Sequence, residues 1–126
     1  MHIKPSLLLV LAITCSCSSK LSFEQADALS DRDEAALTSD QHDLYVASQG
    51  RAGGEAIATC RAADPRASLF DFALIMKLDA SGKITQTWLQ GDSDLAKCFQ
   101  KEMSQKSFFT PPRAPFYSGF GMKWDH

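Results

Sequence analysis

Four cysteines, three histidines and fifteen carboxylates hold most of the chemistry open to this 126-residue chain, and their spacing limits it sharply. Cys15 and Cys17 close an N-terminal apolar run, while Cys60 and Cys98 stand far apart in the body. Cys60 and Cys98 lack the Cys-x-x-Cys spacing of redox motifs. His42 lies in an acidic segment and His126 is the last residue. Neither has the neighbours for a Ser–His–Asp or Cys–His set, or the ligand spacing of a structural metal site. Asp92 and Asp94 form a carboxylate pair, but they sit where a helix begins, which makes them capping residues first. "DRDEAALTSD" has the acids of a calcium loop without its central glycine or its terminal glutamate. Gly50, Gly53 and Gly54 are no phosphate loop: no strand precedes them and no Lys-Ser or Lys-Thr follows. They read as a flexible hinge. The expectation is a protein with no catalytic residues, no metal site and no cofactor, hence not an enzyme.

The elements that position these residues begin at Leu69. In "FDFALIMKLD", Phe70, Phe72, Leu74, Met76 and Leu78 alternate with Asp71, Ala73, Ile75, Lys77 and Asp79, the period of a strand with one apolar face. "DASGK" turns the chain, with Gly82 free to take positive φ. "KITQTWLQ" over 83–90 returns as a second strand rich in β-branched and aromatic residues. Asp92 or Ser93 caps a helix whose Leu95, Cys98, Phe99 and Met103 share one stripe, so Cys98 faces inward. Phe108 and Phe109 plug the core, and Pro111–Pro112 stop the helix. Phe116, Ser118, Phe120, Met122 and Trp124 then line one face of a third strand. An earlier helix from about Gly54 places Ile57 and Cys60 on one side. The order predicts an α+β fold: a small three-stranded antiparallel sheet with two helices on one face.

Compartment follows from the N-terminus. Lys4 precedes an apolar run from Leu7 to Ile13, too short to span a bilayer permanently and suited to an export signal over 1–16. Cys17 fits a lipidation site better than Cys15; simple cleavage near Ser16 or Ser18 is the alternative. Ser18 after Cys17 resembles the sorting signal of outer-membrane lipoproteins. Residues 17–44 then form a tether and acidic arm, with seven Asp or Glu over 23–44 against Arg32 alone. Sparse apolar residues allow helices from Phe23 to about Leu29 and from about Asp33, but the segment reads foremost as a solvated arm.

The pattern "DFALIMKLDASGKI…W…GDSDLAKCFQKEMSQKSFFTPP" resembles the TonB C-terminal domain superfamily, and most closely the variant in the gliding-motility proteins AgmX and PglI. The likeness spans about residues 55–125. It implies an α-β-β-α-β domain over 45–126 and matches Cys60 to a second cysteine on the earlier helix. The long Pro-rich spacer of TonB and its Tyr-Pro pair are absent here, so the likeness does not carry energy transduction with it. An exported chain permits a Cys60–Cys98 disulfide. A structural bridge is the expectation, with a redox pair or two free thiols as alternatives.

Surface is what remains for function. A net charge of −2 offers no nucleic-acid footprint. Tyr117 alternates away from the core face, and Gly119 and Gly121 leave that face of the third strand nearly bare, so a partner strand can approach. The expectation is a periplasmic or outer-membrane-anchored binding or accessory module that contacts an envelope protein through Tyr117, Gly119 and Gly121. The alternative is an inhibitor or immunity protein against a periplasmic toxin or hydrolase.

Overall fold

The computed structural model describes residues 20–124. The chain folds as α1 (Phe23–Ala35), α2 (Ser39–Ala63), β1 (Phe72–Leu78), β2 (Ile84–Gln90), α3 (Asp94–Met103) and β3 (Phe116–Met122). The three strands form one antiparallel sheet in the order β2-β1-β3. This is the α+β architecture that the alternation predicts, with one helix more. The export signal, Cys15, Cys17 and His126 lie outside the described residues.

Local chemistry starts each helix. Ser22 and Gln25 form a reciprocal capping box at α1: Gln25 N–H donates to Ser22 Oγ at 3.1 Å, and Ser22 N–H donates to Gln25 Oε1 at 2.8 Å. Thr38 and Gln41 repeat the device at α2, at 3.2 and 2.9 Å. Ser93 caps α3 by accepting from Ala96 N–H at 3.1 Å. In the β1–β2 hairpin Gly82 takes φ +87°, where a side chain would be strained. An added Cβ would also lie 2.6 Å from the carbonyl oxygens of Phe108 and Phe109. Phe108 N–H donates to Gly82 O at 2.8 Å, so the turn also docks the segment after α3.

Both faces of the sheet are covered. Phe72, Leu74, Met76 and Leu78 pack with Phe99 and Met103 of α3 and with Tyr45, Ala52 and Ala56 of α2. Ile75 faces the other way, into a smaller cluster with Tyr117, Trp88 and Ala26 of α1. Two helices therefore share one face, as the sequence predicts, and α1 closes the opposite one.

The segment read as a solvated arm is thus structured. Phe23, Ala26 and Leu29 supply a short apolar stripe, and Ala26 is fully buried. The glycine hinge is a second correction. Gly50, Gly53 and Gly54 all lie within the 25-residue α2. At Gly53 an added Cβ would come within 2.4 Å of the Phe120 ring. That glycine brings helix and strand into close approach instead of flexing.

Candidate functional site

The cysteines come together as expected from their helices. Cys60, near the end of α2, bonds Cys98 on α3 with a Cα–Cα distance of 5.9 Å across 38 residues of sequence. Cys60 is buried and Cys98 half-buried. Two thiols joined this way are not nucleophiles. The pair ties α2 to α3, the helix that carries Phe99, whose ring centroid lies 4.7 Å from that of Phe120.

The three predicted partner-contact residues separate. Tyr117 does point away from the main core, but it is buried under α1, with its ring 5.9 Å from that of Trp88. Gly119 lies beneath the same helix, where an added Cβ would meet Ser30 Oγ at 3.0 Å. The close approach that the glycine permits is made by the chain's own α1. Gly121 alone has open space beside it and is exposed. Trp124, expected on the inner face, lies beyond the end of β3. Its backbone N–H donates to Asp71 Oδ1 at 3.0 Å and its indole N–H to Phe70 O at 3.2 Å.

Side chains also occupy the outer edge of β3. Tyr117 N–H donates to Asp33 Oδ2 at 2.9 Å, and Gly119 O accepts from Gln49 Nε2. Alternate residues of a strand turn their N–H and C=O to the same side, so both groups face away from β1. An edge that would otherwise template a partner strand is closed at these two positions by a carboxylate from α1 and an amide from α2. The helical hairpin straddles the strand.

Asp33 is central to this closure. Its side chain is fully buried, and Oδ1 takes contacts of 2.9 Å from Arg32 and from Arg113. Both arginines are 57% exposed, so they bring charge to the carboxylate while keeping more than half of their own contact with water. With Tyr117 N–H, the buried charge has the partners it needs. On the other face Tyr45 Oη lies 3.0 Å from Ser118 Oγ and accepts from Gln49 Nε2 at 3.2 Å. Burial raises the Tyr45 pKa against the opposing pull of these hydrogen bonds. A cleft lined by Asp33, Leu37, Gln41, Arg113 and Phe116 lies beside the first cluster.

A charged cleft also lies at the α1–α2 turn and is lined by Asp31, Glu34, Thr38, Ser39 and His42. His42 Nε2 stands 3.6 Å from Glu34 Oε2, both well exposed. Among the described residues no group of three His, Cys, Asp or Glu is placed to hold a metal ion.

Comparison of the chain with protein-family models, curated proteins and solved structures found no match.

Two residues central to this geometry were missed by sequence reasoning, each for a traceable reason. Asp33 sits in an acidic run and looks like one more solvated charge. Its signal is position: Ala26, Ser30 and Asp33 fall at i, i+4 and i+7, one helical face of small and polar residues. Tyr45 belongs to a stripe with Gln49, Ala52, Ala56 and Cys60 that becomes visible once the glycines are allowed inside a helix.

Proposed function

We propose that this chain is a non-enzymatic binding or accessory module of a bacterial cell envelope, periplasmic or held at the outer membrane by a lipid on Cys17. The Cys60–Cys98 bridge carries this reading, because such bonds form and persist in oxidising compartments. The apolar N-terminal run before Cys17 points the same way. No helix among the described residues is long and apolar enough to cross a membrane. A lipid at Cys17 would then be the means of attachment.

An inhibitor of a periplasmic toxin or hydrolase is the second reading, and one observation favours it. Glu24, Asp27 and Asp31 on α1, with Asp40 and Asp43 on α2, are exposed on packed helices, not a loose arm. An ordered acidic surface suits a cationic partner and would speed its association.

In-cell crosslinking of tagged full-length protein, followed by mass spectrometry, tests both. Capture of a membrane-embedded envelope complex supports the module. A single soluble basic hydrolase or toxin crosslinked through the acidic helices overturns it in favour of the inhibitor. Crosslinks confined to cytoplasmic proteins would sink both.

A further inference from the structure

The two halves of α2 are held very differently. Its first half is anchored by Tyr45, whose ring is 5.3 Å from Phe109 and 5.9 Å from Phe116, and by Gln49 on the β3 edge. From residue 50 onward the buried residues of α2 are only Ala52, Gly53, Ala56 and Cys60. Ile57 is half-buried. Such side chains remove little apolar surface from water.

Two further features weaken the same stretch. Gly50 and Gly54 are exposed, with nothing within 4 Å of an added Cβ, so they lower helix propensity without a packing reason. Arg61 Nε is buried without a hydrogen-bond partner among the described residues. The Lys106–Glu55 pair that reaches this half spans 3.4 Å, and Glu55 is 62% exposed, a geometry of small stabilising value. The disulfide is the strongest tie that remains.

We propose that residues 50–63 form a separately opening segment latched by Cys60–Cys98, so that reduction of the bridge uncovers Phe120 while α1 and the sheet stay folded. The reductant is a dithiol. One of its sulfurs attacks a bridge sulfur, its second sulfur resolves the mixed disulfide, and it leaves as its own disulfide. Cys60 and Cys98 each gain a proton, and two electrons pass to the protein. Opening lifts Gly53 from the Phe120 ring and exposes one end of the Phe72–Phe99–Phe120 series. The segment is drawn from the weakly packed end of the molecule, as local opening units are.

Hydrogen exchange read by mass spectrometry on the exported chain, oxidised and then in dithiothreitol, tests the latch. Peptides within 50–63 should exchange on the order of 100-fold faster after reduction, the scale expected for a bridge closing a loop of this length. Peptides of α1, β1 and β3 should change by less than about a tenth of that factor. An equal rise across the whole chain overturns the proposal, as does no rise within 50–63. A second arm uses Gly50→Ala and Gly54→Ala in the reduced protein. Each should slow exchange of 50–63 by about 5-fold, since alanine favours helix at sites with open space. If these variants slow β1 and β3 equally, or leave 50–63 unchanged, the segment does not open on its own.

Discussion

The helices on the two faces of the sheet are fastened by opposite chemistry. α1 is held by a buried carboxylate that satisfies a strand N–H and gathers two arginines, together with a small apolar patch. The second half of α2 is held by a covalent bond over small side chains. The first arrangement requires folded geometry on both partners and is lost when any one group is removed. The second mainly restricts the unfolded chain and tolerates a thin interface. A small domain thus completes one face by polar complementarity and staples the other. Breaking one fastening should leave the other face readable.

The largest effect is expected at Asp33. Asp33→Ala leaves Tyr117 N–H without its acceptor beneath α1 and removes the anchor of Arg113. Losing a buried charged acceptor costs several kcal/mol when its partners stay buried. Both arginines are 57% exposed and can return to water, so the expected loss is about 2–4 kcal/mol. Urea unfolding gives the total, and exchange of the Tyr117 amide shows whether the damage is local. A loss below about 0.5 kcal/mol, the range of ordinary surface substitutions, would mean that α1 is held by its apolar patch alone.

Gly53 tests the other face. Gly53→Ala places a methyl within 2.4 Å of a ring carbon of Phe120, which is wedged between α2 and Phe99. Overpacking costs about 1–3 kcal/mol, and the gain in helix propensity returns up to about 1. A net loss of about 1–2 kcal/mol is expected in thermal melts. Gly54→Ala, one residue away in open space, should stabilise instead. Opposite signs at adjacent positions would establish that close approach, not flexibility, fixes glycine at 53. Equal signs would remove that account.

The sheet and α3 were legible because their patterns are local. Strict alternation in "FALIMKL", a turn glycine and one apolar helical stripe each determine an element within a few residues. Cys60–Cys98 was legible too, since both cysteines fall on inward helix faces. α1 and the first half of α2 were hidden because tertiary partners stabilise them more than sequence hydrophobicity does. Asp33 and Gln49 make sense only beside the edge of β3, which no window along the chain contains. Tyr117 was misplaced because alternation tells which face a residue takes but not whether a helix covers that face. Gly53 looked like a hinge because a glycine required by a neighbouring ring and one required by a bend are the same letter.

Tyr45 sharpens the comparison within α2 itself. Tyr45→Phe removes the hydroxyl that meets Ser118, which is fully buried, and Gln49. About 1–2 kcal/mol should be lost at neutral pH. The alkaline limb carries a second signature. Burial raises the folded-state pKa of Tyr45 above its ordinary 10.0. The unfolded chain therefore releases the proton first, so stability is fully present below about pH 10 and falls as pH rises toward the folded value. Urea midpoints measured from pH 8 upward should decline less steeply in the phenylalanine variant. An unchanged decline would assign the alkaline sensitivity elsewhere.

The smallest effect belongs to a place outside both fastenings. Asp79 Oδ1 accepts from Ser81 Oγ at 2.7 Å, Ser81 N–H at 2.9 Å and Lys83 N–H at 3.0 Å in the exposed β1–β2 turn. The Ser81 hydroxyl first, then the backbone N–H groups of Lys83 and Ser81, lower its pKa below the ordinary 3.8. Its contribution is therefore present above that ordinary value and is lost as pH falls through the lower, folded one. Acid should lower the protection of the Ser81 and Lys83 amides, taken relative to their intrinsic exchange rates at each pH, before it affects α1 or α2, and Asp79→Asn should remove that pH dependence. Simultaneous loosening of α1 would show that the turn, which docks Phe108 through Gly82, is coupled to the sheet as a whole. Loosening confined to the hairpin would leave the carboxylate and the disulfide as independent fastenings of the two faces.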